Sequence, residues 1–223
     1  MAKAENGHIA VNADATVWIW TPRGTQASFT TDKGATWTEC QGLPKGIKVI
    51  ADKVNPMQFY AVDVINKTLY TSNDAGRTFV SKSLDIQLKN NGRGGRGDNR
   101  GGQDRIYSMP EREGDIWLAA YDGLYHLNSN FEAGSAMPHV STIYAFGFGK
   151  SKEESGYPSL YLIGVVDDVY GFFRSDDMGK NWTRINDDDH QYGLVLHICG
   201  DMQEYGRVYV GTHGRGIMSG KIK

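Results

Sequence analysis

Apolar residues alternate with polar ones, or run together for a few positions, in short stretches bounded by Gly, Asn, Asp and Pro. Examples are Ile9 to Trp20, Phe59 to Val64, Ile116 to Ala120, Leu160 to Val166 and Arg207 to Thr212. A repeat of two is the side-chain period of a strand, and short apolar runs between turn residues fit buried strands. Helical spacing is missing: no stretch holds apolar residues at i, i+3, i+4 and i+7 over three turns without an intervening Gly or Pro. The pattern predicts an all-β chain.

The chain also repeats itself. Thr30-Thr-Asp-Lys-Gly-Ala-Thr-Trp37, Ser72-Asn-Asp-Ala-Gly-Arg-Thr-Phe79 and Ser175-Asp-Asp-Met-Gly-Lys-Asn-Trp182 all fit Ser/Thr-x-Asp-x-Gly-x-Thr/Asn-aromatic. A worn copy at 130–137 has Asn130, Glu132, Gly134 and Met137 in the Ser, Asp, Gly and aromatic places. The acidic positions 32, 74, 132 and 177 are therefore 42, 58 and 45 residues apart. A period of roughly 40 to 50 residues is that of β-propeller blades. The repeats delimit segments of about 7–40, 48–83, 104–140, 143–186 and 192–220 in one partial propeller domain over 1–223, four to five blades in all.

Each copy makes sense as a turn between two strands. The carboxylate of Asp32, Asp74 or Asp177 accepts backbone N–H groups, and Gly34, Gly76 or Gly179 takes a conformation that a Cβ would penalise. The aromatic, Trp37, Phe79 or Trp182, buries into the blade. A residue repeated in every blade serves every blade, so these aspartates read as structural rather than catalytic.

Composition sharpens the picture. Gly is 28 of 223 residues, nearly twice the usual share of roughly 7%, and aromatics are 11%, as many short strands and tight turns require. A net charge of −2 gives no reason to bind a phosphate backbone or an anionic membrane, so neither nucleic acid nor membrane is an expected partner. The longest uncharged apolar run, Tyr161 to Val166, is far short of the roughly 20 residues of a membrane helix. Cys40 and Cys199 lack the spacing of a zinc site and are too few for a disulfide framework. No metal and no cofactor is implied.

Three good copies of the repeat identify Asp-box repeats of a sialidase-like β-propeller. The words around them resemble glycoside hydrolase family 74 more narrowly: Gly7-His-Ile-Ala-Val-Asn-Ala-Asp14, Trp20-Thr-Pro22, Ala51-Asp-Lys-Val-Asn-Pro56 with Phe59-Tyr-Ala61, and Glu113-Gly-Asp-Ile-Trp-Leu118. Gly123-Leu-Tyr125, Gly147-Phe-Gly-Lys150, Phe173-Arg-Ser-Asp-Asp177 and Arg184-Ile-Asn-Asp187 with His190-Gln-Tyr-Gly193 continue the match in order. It ends on Gly206-Arg-Val-Tyr-Val-Gly-Thr212 and Gly214-Arg-Gly-Ile217.

The resemblance implies a xyloglucanase or related endo-β-1,4-glucanase built from two seven-bladed propellers facing each other across a cleft. This chain is similar to the C-terminal part of the second propeller. The family's two catalytic aspartates, one per propeller, fall upstream of that part, so no residue here inherits a catalytic role. The chain alone is expected to be inactive, and a protein partner or a second copy is expected to complete the propeller. The resemblance implies secretion, whereas Met1-Ala-Lys-Ala-Glu lacks the apolar stretch of an export signal, so the location stays open.

What the chain can supply is contact with xyloglucan or another β-1,4-glucan, whose sugar faces lie on aromatic rings while hydroxyls bond planar polar groups. The candidates are Trp18, Trp20, Trp117, Tyr121, His190 and Tyr192, with Trp37 and Trp182 assigned to the core. Packing competes with sugar binding for each, since alternation puts Trp18 and Trp20 on one strand face. The run Asp187-Asp-Asp189 before His190 reads as a binding or structural loop, not a catalytic dyad, because adjacent strand residues point apart. The Gly/Arg-rich insertion at 89–103 explains the longest spacing. Its Arg96-Gly-Asp98 tripeptide, its RGG-like character and its likeness to a calcium turn are each weaker readings than a flexible loop.

Overall fold

In the computed structural model, residues 7–84, 105–120, 123–127 and 136–222 are described. Every regular element among them is a strand, and the strands form five sheets in chain order. The first sheet is β1 (Gly7–Val11), β2 (Trp18–Pro22), β3 (Ser28–Thr30) and β4 (Thr38–Glu39). The second is β5 (Val49–Ala51), β6 (Phe59–Asp63), β7 (Thr68–Ser72) and β8 (Val80–Ser83). The third is β9 (Arg105–Ser108), β10 (Ile116–Ala120) and β11 (Gly123–Leu127). The fourth is β12 (Val140–Gly149), β13 (Ser159–Val166), β14 (Val169–Ser175) and β15 (Thr183–Arg184), and the fifth is β16 (Val195–Gly200), β17 (Val208–Thr212) and β18 (Ile217–Gly220). Each sheet keeps its strands in sequence order. The first, second, fourth and fifth are antiparallel throughout.

The stretch from Ile9 to Trp20 is two strands, not one. Asn12 breaks it: its Oδ1 accepts the Val17 N–H at 2.9 Å and its amide donates to the Pro56 carbonyl at 3.0 Å. Ala15 at φ 61° turns the chain back. An Asn side chain that mimics a backbone partner stabilises such a turn.

The described residues fall into two compact units. The first takes in 7–84, 106–116 and 127, and its core includes Ile19, Val49, Phe59, Ala61, Phe79 and Cys40. A bridge between Gln41 and Thr78 ties the outer parts of its two four-stranded sheets: the Gln41 N–H donates to the Arg77 carbonyl at 2.8 Å and the Phe79 N–H donates to the Gln41 carbonyl at 2.9 Å. The second unit takes in 105, 117–120, 123–126 and 136–222, and Ala145, Tyr161, Ile163, Phe172, Val195, Ile198 and Val210 cluster in its core. There β12 and β16 run so close that a Cβ built on Gly147 would lie 2.2 Å from the Ile198 carbonyl. The Tyr161 ring fills the space over Gly149 and Gly200, 2.8 and 2.4 Å from their would-be Cβ atoms.

Antiparallel order places turns alternately. In the second unit 150–158, 176–182 and 201–207 gather at one end of the strands, while 167–168, 186–194 and 213–216 gather at the other.

Candidate functional site

The repeated motif is the same turn three times. The hydroxyls of Thr30, Ser72 and Ser175 donate to Asp32, Asp74 and Asp177 at 2.7, 2.7 and 2.8 Å. Each hydroxyl also accepts the N–H of Gly34, Gly76 or Gly179 at 2.9 Å. Each carboxylate then accepts the backbone N–H of Thr36, Thr78 or Asn181 at 2.9 Å and a bond from the same residue's side chain. Lys33, Ala75 and Met178 precede the glycines at φ 57°, 59° and 62°. The hydroxyls of Thr36 and Thr30 hold the Asp32 carboxyl down at about 2. Burial raises Asp74 and Asp177, but bonds from Thr78 and Asn181 outweigh it and leave both lowered. These carboxylates are spent on their own turns.

Among the described residues the other carboxylates with displaced values move the same way: Asp14 through the Thr16 hydroxyl, Asp187 through His190, and Asp201 through the Gln203 N–H. A glycosidase acid must instead keep its proton near neutral pH, which requires an upward shift. Among the described residues no group of His, Cys, Asp and Glu could hold a metal ion.

The candidate sugar-binding aromatics separate into four situations. Trp18 and Trp20 are half-buried on one face of β2, paired across the strands with Val11 and Ile9. Trp20 meets Trp37 edge to face at 5.9 Å, and Trp18 donates to the Ala15 carbonyl at 3.2 Å. Ile9 and Val11 on that face are 54% and 41% exposed, while Ala10 and Ile19 on the other face lie in the core. The result is an open apolar sheet face. Trp117 is fully buried, stacked on His126 at 4.3 Å, with its Nε1 donating to the Tyr157 hydroxyl at 2.8 Å. That enclosure corrects its assignment as a sugar contact, because β10 is buried on both faces. Tyr121 lies outside the described residues, as do the insertion at 89–103 and residues 130–135 of the worn motif copy.

His190 and Tyr192 stand at the 186–194 end of the second unit. His190 is exposed and pairs with Asp187 at 2.5 Å, and the Asn186 amide donates to the carbonyls of Asp187 and His190. Tyr192 is half-buried, 6.1 Å from the Phe172 ring and 5.8 Å from His190. Arg184 bonds Asp188 at 2.6 Å and His139 bonds Asp167 at 2.5 Å at this same end. An accessible ring beside amide, imidazole and carboxylate groups is what a neutral sugar needs. Trp37 and Trp182 are also half-buried rather than core, a second correction: each ring lies over the glycine of its own turn, Gly34 or Gly179.

The sequence reading missed a second repeated turn. Asp52 is fully buried and accepts the N–H groups of Val54, Asn55 and Gly114 and the Tyr60 hydroxyl at 2.7, 2.8, 2.9 and 2.9 Å. Asp201 accepts those of Gln203 and Glu204 and the Tyr209 hydroxyl at 2.7, 3.0 and 2.9 Å. The signal was an Asp followed eight residues later by Tyr, present at 52/60 and 201/209.

No family model matches the chain. A xyloglucanase of Acetivibrio thermocellus is 41% identical over 217 residues, 96% of this chain and 24% of its own length. A Paenibacillus xyloglucanase is 33% identical over 96% of the chain and 20% of its own length. The crystal structure of the GH74 xyloglucanase from Xanthomonas campestris superposes with a TM-score of 0.83 at 35% identity, covering 97% of this chain and 30% of that one. These matches support a fragment of glycoside hydrolase family 74. The chain spans about a quarter of the length of the curated relatives it matches. Its sheets are β-propeller blades, and the turns above are their connections.

Proposed function

We propose that the chain is part of a glycosidase hydrolysing xyloglucan or another β-1,4-glucan, to which it contributes blades of the propeller and cleft surface but no catalytic aspartate. The observation that carries this is 41% identity to a xyloglucanase across 96% of the chain, with the displaced carboxylates among the described residues moving downward. An inverting glycosidase holds its acid and base roughly 6.5 to 9.5 Å apart across the sugar, with the acid raised. The 186–194 loop is the surface offered to the glucan, with Tyr192 as ring platform and His190 as polar contact, the Asn186 amide being engaged within the loop. Light scattering with and without a xyloglucan oligosaccharide, followed by a reducing-sugar assay on the same sample, tests it. Sugar binding without release of reducing ends is expected, and turnover by the 223-residue chain alone would overturn the assignment of the acid and base elsewhere.

A second reading is a noncatalytic module that pairs with another chain or a second copy. The open face of Ile9, Val11, Trp18 and Trp20 favours it, because a sheet face of this composition gains free energy when covered. The two readings part on ligand: the first requires glucan affinity, and the second requires protein association without it.

A further inference from the structure

At the end of the second unit opposite the 186–194 loop lies a hollow of about 380 Å³, lined by Lys152, Glu153, Tyr157, Arg174, Asn181 and Thr183 among others. Its floor is a fixed polar network. The Asp176 carboxylate accepts the Ser159 hydroxyl at 2.6 Å, the Tyr205 hydroxyl at 2.8 Å and the Arg174 Nε–H at 3.1 Å. The Arg174 guanidinium lies over the Tyr205 ring, 5.1 Å from its centroid, and its side chain is only 14% exposed. An arginine so fixed by ring and carboxylate loses little freedom on bonding a ligand, and Nε engagement leaves its two terminal amino groups as donors. The Tyr161 hydroxyl is buried nearby, within reach of the Arg174 guanidinium and the Asp176 carboxylate. Tyr157 adds a half-buried ring, set against Trp117 and His126 at steep angles.

We infer that this hollow is a second saccharide-binding site, taking one or two neutral, hydroxyl-rich sugar residues of a β-1,4-glucan with a ring face on Tyr157 and hydroxyls on Arg174, Lys152 and Glu153. Donors and acceptors of both signs in an open, mostly polar hollow suit a polyol rather than an ion. Both oxygens of Asp176 are engaged, and Asp177 is held in its turn, so the site binds and does not cleave. Strands of eight residues at roughly 3.3 Å each put it about 25 Å from the 186–194 end. The two sites therefore engage different stretches of one polymer or different polymers. The inference rests on the glucan reading above and adds a site to it.

Shift mapping by ¹⁵N NMR with xyloglucan heptasaccharide, with titration calorimetry on the full 223-residue chain, tests it. Saturable shifts at Lys152, Gly156, Tyr157, Asn181 and Thr183 are expected. Thr183→Trp, which fills the hollow from an exposed position, should weaken them at least tenfold in Kd, while Tyr192→Asn should leave them intact. The double variant Lys152→Ala/Glu153→Ala, on two exposed side chains, should weaken the site at least threefold and serves if the tryptophan disturbs the fold. Shifts confined to 186–194 would overturn this site and leave the glucan reading standing. Shifts nowhere would overturn both, and hollow shifts unaffected by these variants would overturn the placement.

Discussion

The Gly114 N–H donates to the Asp52 carboxylate at 2.9 Å, a bond spanning 62 residues of sequence inside the first unit. With Val54, Asn55 and Tyr60 it makes four donors on one fully buried side chain. Asp52→Ala would take this acceptor from the Val54, Asn55 and Gly114 N–H groups, while the Tyr60 hydroxyl keeps its bond to Gln58. A loss of about 2–4 kcal/mol is expected, read as a lower urea midpoint at unchanged slope. Asn at 52, which can accept but cannot satisfy every donor, should fall between.

Acid stability should carry the mark of Asp32. Its folded pKa of about 2 lies below the ordinary 3.8, so its stabilising effect is complete above about pH 4 and is lost as pH falls toward 2. Thermal melts between pH 5 and pH 2 should show a steeper decline for the native chain than for Asp32→Asn, whose turn has no carboxylate to protonate. Parallel curves would contradict the assignment.

Trp117 and Tyr192 should behave in opposite ways. Trp117→Ala removes a fully buried ring stacked on His126 and is expected to cost about 3–5 kcal/mol, visible in the unfolding midpoint. Tyr192→Asn sits at φ 55°, a conformation Asn tolerates, and should keep the fold while weakening xyloglucan oligosaccharide binding severalfold at the 186–194 end. Calorimetry on the two variants separates them.

The open face of the first sheet predicts association. Ile9→Lys/Val11→Lys places two charges on it without touching Ala10 or Ile19 behind. Any concentration-dependent rise in mass measured by light scattering should disappear in the double variant while its melting temperature stays within a few degrees.

Which of these features could be read in the sequence follows from the range of the interaction. The motif turns close within eight residues, so their bonds are spelled by neighbouring letters, and the strands from Ile116 to Ala120 and Leu160 to Val166 were plain from their apolar runs. Asp52 bonds both its neighbours and Gly114, and only its eight-residue spacing to Tyr60 left a local trace. Trp117 was ambiguous because the face of a strand that is covered depends on sheets distant in sequence. Alternation put Trp18 and Trp20 on one face, but whether that face was covered is a property of packing. The hollow at Arg174 needed three turns from separate strand connections to meet, which no single stretch of letters encodes.

The passage of the Tyr161 ring over Gly149 and Gly200 limits what evolution can write there. Hydrogen is the only substituent that fits at either position, so a lineage cannot drift through alanine at one of them and be rescued later at the other. Shrinking the ring would not suffice, because each would-be Cβ also lies 2.7 Å from the Cα of the other glycine. Three distant letters are thereby locked together, and a chain that changes one of them reports that its inner strands have moved apart.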